Sequence, residues 1–360
     1  MKFVHIADMH FDAPFAVLNS RNKLGEKRRL QQREVFRKII QYIKENNIEY
    51  LFIAGDLYEN EYIRKTTADY INNLFKEIPN TKIYISPGNH DPYINNSIYK
   101  NFKWSDNVHI FKGKLEVIKE KDCDIYGFGF NDFYCKNSII DEIKIENKQK
   151  INILITHGSL NGGTLENMEY NPINKNKLKE LGFDYVALGH IHKLDYNTEK
   201  NQRIVYPGST ISLGFDELGK HGMIVGELDK ENIKLEFKEM DNKEFKEMEL
   251  DVSNTNSEEE LIEKINNLNL EENTYYKIIL IGDKNYEINV YNLFKYILNE
   301  NIIKIKNKTK IKIDLEKISK NNNLKGLFVK EILEELNKNN YNKELLENVL
   351  ELGLDVIDKK

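Results

Sequence analysis

Short apolar runs recur along the first half of the chain, and each has the length of a buried strand. Helical periodicity separates the earlier runs, and paired shorter strands follow them. An alternation of strands and helices is typical of an α/β domain with a largely parallel sheet. The runs are Phe3–Ala7, Tyr50–Ala54, Lys82–Ile85, Ile151–Thr156 and Asp184–Leu188.

Two helices are predicted between the first three runs, because apolar residues recur there at intervals of three and four. The first extends from about Gly25 to Glu45 and the second from about Ile63 to Phe75. The inward face of the first is predicted to comprise Leu30, Val35, Phe36, Ile39, Ile40 and Ile43.

The pattern changes near residues 251–256, which are polar and show no periodicity. We therefore predict a first domain at residues 1–250, a small α/β cap at 251–320 and a helical hairpin at 321–360. Ser257 begins a capping box that starts a cap helix. The hairpin helices are predicted at Leu324–Leu336 and Tyr341–Leu352, each with an apolar stripe.

Metal-ligand side chains follow all five apolar runs. Because parallel strands deliver their carboxyl ends to one sheet edge, these side chains are expected to meet there. Carboxylate, amide and imidazole groups bind divalent metals, so the pattern predicts a two-metal site. One such motif alone would equally suit a structural turn, but five in order favour the metal site. The candidate ligands are Asp8, His10, Asp56, Asn89, His157, His190 and His192, and His90 and Asp91 follow Asn89 directly.

The ordered set D-x-H, G-D, G-N-H-D, T-H-G and G-H-x-H resembles the calcineurin-like metallophosphoesterase superfamily. The resemblance implies a two-layer β-sandwich flanked by helices. It places Asp8, His10, Asp56 and His192 on a first metal, and Asp56, Asn89, His157 and His190 on a second, with Asp56 bridging. It keeps His90 off the metals, as proton donor or charge stabiliser for the leaving oxygen. Asp91 either orients His90 or caps a loop.

Residues His10–Phe15 (HFDAPF) and Tyr206–Ser209 (YPGS) resemble the SbcD-type DNA-repair exonucleases, in particular the YhaO-type branch. This resemblance implies Mn²⁺-dependent DNA hydrolysis that releases nucleotides from a 3′ end, and an SbcC-like coiled-coil ATPase as partner. Glu59 departs from the pattern, since many such nucleases have a histidine there. A carboxylate at that position would repel phosphate unless it faced away or bound a cation. A small- or cyclic-nucleotide phosphodiesterase and a weakly active DNA-binding scaffold subunit stay as alternatives.

Charge and cysteine content bear on the binding partners and the cellular compartment that we expect for the protein. The net charge of -5 argues weakly against nucleic acid as partner, although bound metals and local charge distribution can offset the sum. Two cysteines provide no disulfide framework, and no apolar run is long enough for a membrane span. We expect a cytoplasmic protein without a signal peptide or membrane contact. The sequence leaves open whether the chain forms a homodimer.

Two basic stretches are candidate DNA contacts. Arginines follow the Asp8–His10 loop at the start of the first helix, and lysines alternate with isoleucines near residue 305. Either stretch could instead be a solvated surface, and a turn at Asn307 or Lys308 would split the second. The residues are Arg28, Arg29, Arg33 and Arg37 in the first stretch, and Lys304, Lys306, Lys308, Lys310 and Lys312 in the second.

Overall fold

The computed structural model describes residues 1–18, 23–160, 170–196, 202–311, 315–338 and 342–358. The chain forms two compact units. The first comprises Met1–Glu247, Leu270–Lys277 and Glu300–Lys304. The second comprises Met248–Asn269, Ile278–Asn299 and Ile305–Lys360.

A six-stranded sheet forms one layer of the first unit. Its central strands β1 to β4 are parallel, and β10 and β11 extend the sheet antiparallel beside β1. In sheet order the strands are β11 (Ile233–Glu239), β10 (Gly222–Leu228), β1 (Lys2–Ile6), β2 (Tyr50–Ile53), β3 (Lys82–Ile85) and β4 (Val108–Ile110).

A five-stranded sheet forms the second layer. Its strands are parallel except for the first, which pairs antiparallel with its neighbour. In sheet order they are β5 (Glu116–Lys119), β6 (Cys123–Phe128), β7 (Ile151–His157), β8 (Tyr185–Gly189) and β9 (Ile204–Val205). After β8, Asp195 forms a single antiparallel bridge with Tyr206.

The alternation of side chains along β1 explains how the two layers pack. Val4 and Ile6 face the helices in one apolar cluster, whereas Phe3 and Ala7 lie in a second cluster with residues of the other sheet. The ring centroids of Phe3 and Tyr185 are 4.6 Å apart across that interface. The predicted α/β class is thus confirmed, with two sheets face to face and helices outside them.

Helices cover the outer faces of this unit. They are α1 (Leu24–Glu45), α2 (Lys65–Lys76), α3 (Ile98–Asn101) and α4 (Lys175–Leu181), with 3₁₀ turns at Ala16–Leu18 and Ile139–Glu142. Val35, Phe36, Ile39, Ile40 and Ile43 are buried on α1, as predicted. The prediction for Leu30 is wrong, because this side chain is 68% exposed.

The remaining elements lie at residues 244–358. Strands β12, β13 and β15 form a three-stranded sheet, and β14 pairs parallel with β16. The sequence pattern did not predict β12 or the short helix α7. The elements are β12 (Glu244–Asp251), α5 (Glu258–Asn266), β13 (Thr274–Ile281), β14 (Asp283–Lys284), α6 (Val290–Tyr296), β15 (Ile302–Asn307), β16 (Lys310–Ile311), α7 (Leu315–Ser319), α8 (Leu324–Lys338) and α9 (Lys343–Asp358).

Helices α8 and α9 pack on each other as a hairpin. Gly353 permits the close approach, since a Cβ there would lie 2.1 Å from Cζ of Phe328. Val329, Ile332, Leu346 and Leu354 are buried. A second set of apolar side chains stays exposed: Leu324, Leu327, Leu345, Val349, Leu352 and Val356. Among the described helices, none has the length and apolar character needed to span a membrane.

Candidate metal centre

The predicted ligands lie at the C-terminal end of β7, where His157 is the last strand residue, and on the loops that follow β1, β2, β3 and β8. Several of these loops need unusual backbone. Asp8, His10, Asp56 and His190 have φ values of 51°, 48°, 52° and 101°, in the left-handed region that non-glycine residues rarely adopt. Such strain is concentrated at functional sites, where surrounding structure holds it in place.

One group of ligand atoms comes from Asp8, His10 and His192, all within 4.8 Å of one another. Nε2 of His10 lies 3.2 Å from Nε2 of His192. Oδ1 of Asp8 is 3.9 Å from Nε2 of His192, and Oδ2 of Asp56 is 3.8 Å from Nε2 of His10. Together with Asp56, these are the residues that the family resemblance assigns to the first metal.

A second group surrounds His157. Its Nδ1–H donates to the carbonyl of Ala54 at 2.9 Å, which leaves Nε2 towards the site. Nε2 lies 3.3 Å from Oδ2 of Asp56 and 2.9 Å from Oδ1 of Asn89. The His190 ring is 5.2 Å from the His157 ring, centroid to centroid. The structure therefore brings together Asp56, Asn89 and His157 of the predicted second set, with the ring of His190 beside that of His157, and Asp56 lies between the two groups.

The chemistry of these donors fits a pair of divalent cations. Several lone-pair atoms converge, and the carboxylates of Asp8 and Asp56 are fully buried. Although burial opposes charge on His157, Asp56 raises the pKa of that imidazole to about 9. The negative electrostatic potential that favours a proton on His157 also favours a metal cation beside it. Burial and the neighbouring His157 lower the pKa of His190 to about 3, so this ring is neutral, as a ligand must be.

Glu217 orients one of the ligands and was missed by the sequence interpretation. Its Oε1 accepts a hydrogen bond from Nδ1 of His192 at 2.5 Å, and its Oε2 accepts one from Ser209 at 2.7 Å. A carboxylate behind a ligating imidazole fixes the ring orientation and raises its basicity. No motif marks Glu217, since it lies 25 positions after His192 in the sequence.

Glu59 is held by two histidines of the site. Nδ1 of His10 donates to its Oε1 at 2.8 Å, and Nδ1 of His90 donates to its Oε2 at 2.9 Å. Burial alone would raise the pKa of Glu59, but these hydrogen bonds lower it to about 2. Burial alone would lower the pKa of His90, but Glu59 and Asp56 raise it to about 9. The charge of Glu59 is therefore compensated within the site, so it does not repel phosphate as a lone carboxylate would.

Asp91 makes hydrogen bonds that brace the loops. Its carboxylate accepts from the backbone N–H groups of Gly88, Asp56 and Leu57 and from the hydroxyl of Tyr99, at 2.6, 3.0, 2.7 and 2.6 Å. These partners match the loop-capping alternative, and the carboxylate that contacts His90 belongs to Glu59. Gly88 fits this crowded turn because a Cβ would lie 2.3 Å from Oδ1 of Asp56.

The predicted DNA contact of Arg28 is wrong. This side chain is fully buried, and its guanidinium donates to both carboxylate oxygens of Asp241 and to the carbonyl of Ser212. A phosphate cannot reach it. Arg33 donates to Thr67 at 2.8 Å and lies 3.7 Å from Asp12, while Arg29 is partly exposed.

Arg37 and the lysines near residue 305 stay on the surface. Arg37, Lys304, Lys306 and Lys308 are exposed. Strand β15 ends at Asn307, whose side chain accepts from the N–H of Thr309 at 3.0 Å. The lysine row is thus interrupted after Lys306, as one alternative foresaw, and Lys312 lies outside the described residues.

Comparisons with known proteins agree with this geometry. Residues 1–194 match the family model described as calcineurin-like phosphoesterase. The chain is 24% identical over 246 residues to the uncharacterized metallophosphoesterase YhaO of Bacillus subtilis, covering 66% of this chain and 60% of that protein. It is 26% identical over 261 residues to the SbcD subunit of the nuclease SbcCD of Staphylococcus epidermidis, covering 61% of this chain and 64% of that protein.

A third relative is the SbcD subunit of the nuclease SbcCD of Staphylococcus saprophyticus, 25% identical over 257 residues, with 60% of this chain and 62% of that protein covered. The chain thus spans between 60% and 64% of the length of these relatives. Their similarity is modest.

Proposed function

This chain belongs to the calcineurin-like phosphoesterases, and on that premise we propose that it is a Mn²⁺-dependent phosphodiesterase acting as a DNA exonuclease in DNA repair. Family membership implies phosphoester hydrolysis with divalent metals. DNA as substrate, Mn²⁺ as the metal and release of nucleotides from a 3′ end are the finer parts of the proposal. A cytoplasmic location belongs to it as well.

The convergence of the strand-end ligands around Asp56 is the observation that supports this function best. In the proposal, Asp8, His10 and His192 hold one cation, Asn89, His157 and His190 hold the other, and Asp56 contacts both. Two bound cations would supply Lewis-acid activation of the phosphoryl group and of the attacking water.

His90 is proposed to donate a proton to the leaving oxygen. Glu59 accepts the Nδ1 proton of His90, which fixes the ring and leaves Nε2 outside this hydrogen bond. The side chain of His90 is 44% exposed, so substrate can reach it. A raised pKa keeps the imidazole protonated at neutral pH, as a general acid requires.

DNA as substrate is supported by two relatives named as subunits of the nuclease SbcCD and by the HFDAPF and YPGS segments. The same similarity supports an SbcC-like coiled-coil ATPase as partner. The exposed apolar row on α9, formed by Leu345, Val349, Leu352 and Val356, offers a helical face for such a coiled coil. A homodimer stays a prediction, and none of the described residues is assigned to an interface between two copies.

A panel of substrates separates this proposal from its alternatives. The full chain with Mn²⁺ is assayed on duplex DNA with 3′ ends, on bis-p-nitrophenyl phosphate and on cyclic nucleotides. Shortening of DNA from the 3′ end supports the exonuclease. Hydrolysis of cyclic nucleotides without cleavage of DNA indicates a small-substrate phosphodiesterase. Tight DNA binding with little turnover on any substrate indicates the scaffold subunit. An Asp56→Ala chain is the control for contaminating nucleases.

A further inference from the structure

A cavity of about 310 Å³ adjoins His90 in the first unit. It is at the small end of ligand pockets, with room for one nucleoside. One wall carries site residues and their neighbours, and the other carries three aromatic side chains. The lining residues are Glu59, Asn60, Glu61, Asn89, His90, Phe133, Tyr134 and Tyr170.

Two of the three aromatic side chains are exposed, and an exposed patch of large apolar side chains is informative. Phe133 is 39% exposed and Tyr134 is 54% exposed. The Tyr134 and Tyr170 rings lie 5.9 Å apart, centroid to centroid, with a tilt of 31°. Tyr170 in turn lies 4.9 Å from the ring of His190. The aromatic surface is therefore continuous with a predicted metal ligand.

Backbone contacts hold both walls in place. Cys135 and Tyr170 form a parallel bridge, and the N–H of Asn171 donates to the carbonyl of Cys135 at 2.6 Å. On the opposite wall the N–H of Asn60 donates to the carbonyl of His90 at 3.0 Å. One wall of the pocket is thus hydrogen-bonded through Asn60 to the backbone of His90, the proposed proton donor. The other wall includes Tyr170, whose ring contacts the ring of His190.

The charges of the lining select what can enter. Glu61 is acidic and exposed, the charge of Glu59 is compensated by its two histidine partners, and the described lining residues include no lysine or arginine. A second phosphate would be repelled there. A flat, uncharged heterocycle would instead stack on the rings, and the amide of Asn60 can hydrogen-bond its edge.

We propose that this pocket binds the unpaired nucleobase attached, through its sugar, to the scissile phosphate. The enzyme would accordingly prefer phosphodiesters of nucleosides to those of non-aromatic alcohols. This inference rests on the proposed phosphodiesterase function. The base could belong to a nucleic-acid end or to a small nucleotide, and the experiment distinguishes the two.

The test compares two inhibitors that differ only by the base. Hydrolysis of bis-p-nitrophenyl phosphate by the full chain with Mn²⁺ is measured with dAMP and with 2-deoxyribose 5-phosphate. Stacking predicts an inhibition constant lower by about tenfold or more for dAMP. The ratio should fall close to one in a Phe133→Ala, Tyr134→Ala double variant and should be kept in Tyr134→Phe, which retains the ring.

This ratio does not depend on the amount of active protein, so partial unfolding of a variant does not distort it. Tyr296→Ala removes an equally exposed tyrosine from the second unit and should keep the wild-type ratio. A ratio near one in the wild type would overturn the proposal that the pocket binds a nucleobase. So would a high ratio that survives the double alanine variant.

Oligonucleotides identify the source of the base and separate the two proposals. A 3′-overhang strand is compared with strands that carry an abasic tetrahydrofuran residue at the last or the penultimate position. Slower cleavage of an abasic strand supports a nucleic-acid end. A high inhibitor ratio without cleavage of any strand keeps the pocket but overturns the DNA exonuclease. Equal cleavage of all strands with an inhibitor ratio of one overturns the pocket alone.

Discussion

The metal centre and the C-terminal region, residues 302–358, place their characteristic side chains in opposite environments. At the centre Asp8, Asp56 and His157 are almost completely buried and contact groups from other strand ends. In the C-terminal region Lys306 and Leu352 are exposed. Both regions were recognised from regular sequence patterns.

The difference shows how much a pattern can determine. A buried charge costs several kcal/mol unless a partner or cation compensates it, so convergence of acids and imidazoles implies a definite chemistry. An exposed lysine or leucine costs little to leave uncovered, so its pattern leaves function open. We therefore expect substitutions at the centre to abolish turnover, and substitutions in the C-terminal region to change binding alone.

The largest effect is expected for Asp56→Ala. Its carboxylate lies between both ligand groups, so its loss should release both cations and lower phosphodiesterase activity by more than about 10⁴-fold. Elemental analysis after gel filtration and kcat on bis-p-nitrophenyl phosphate measure the two effects. Retention of two metal equivalents would contradict a bridging role for Asp56.

His90→Ala should lower kcat by about 10²- to 10⁴-fold, because a general acid is lost. Its metal content should stay at the wild-type level, because the proposal places His90 outside the metal ligands. His90 nevertheless lies within 4.8 Å of ligand atoms of His10 and Asp56. Metal loss as great as in Asp56→Ala would therefore make His90 a ligand.

Glu59→Gln should lower activity by about 10- to 100-fold, as expected when a group that orients site residues is changed. The carboxylate raises the pKa of His90, so the variant should lose the protonated imidazole at lower pH than the wild type. The alkaline limb of the kcat–pH profile should accordingly move to lower pH. If kcat fell at every pH without a shift of the alkaline limb, Glu59 would have only a structural role. Glu61→Gln, a neighbouring acid of the same pocket, is the matched comparison.

Removal of residues from Leu324 onward should leave a folded, metal-loaded and active chain that no longer binds the proposed ATPase. The exposed apolar row on α9 supports an external partner. A milder variant, Leu345→Glu with Leu352→Glu, should also abolish the complex. Loss of cooperative melting on truncation would favour docking of the hairpin onto the rest of the chain, and a complex that survives would exclude this partner surface.

The smallest effect is expected for reversal of Lys304, Lys306 and Lys308 to Glu. DNA binding should weaken, and the salt slope of log K should fall by about one for each phosphate that the chain no longer neutralises, while small-phosphodiester hydrolysis is retained. A matched reversal of Lys44, Lys65 and Lys76, exposed on α1 and α2, changes net charge equally. Equal weakening in both triple variants would reduce the lysine row to a solvated surface.

Most of the first unit could be predicted because its signals are local. Strand and helix periodicity predicted β1 to β3, β7, β8 and α1, and the ligand motifs lie at the C-terminal ends of these strands or directly after them. The prediction that Leu30 is buried failed because periodicity identifies the apolar face of a helix, but not how far along that face other elements cover it. Strand β12 was missed because its alternating charged residues lie on a partly exposed strand.

The sequence by itself determined the α/β class, the family and the candidate ligands, because each depends on short runs and their order along the chain. Only the tertiary structure decided the partners of those residues. Arg28 meets Asp241 across 213 positions, and Glu59 meets His10 across 49. Phe133 and Tyr134 border His90 through the fold alone. Whether a charged or aromatic side chain is buried, paired or open to a ligand depends on such long-range contacts, which no local pattern encodes.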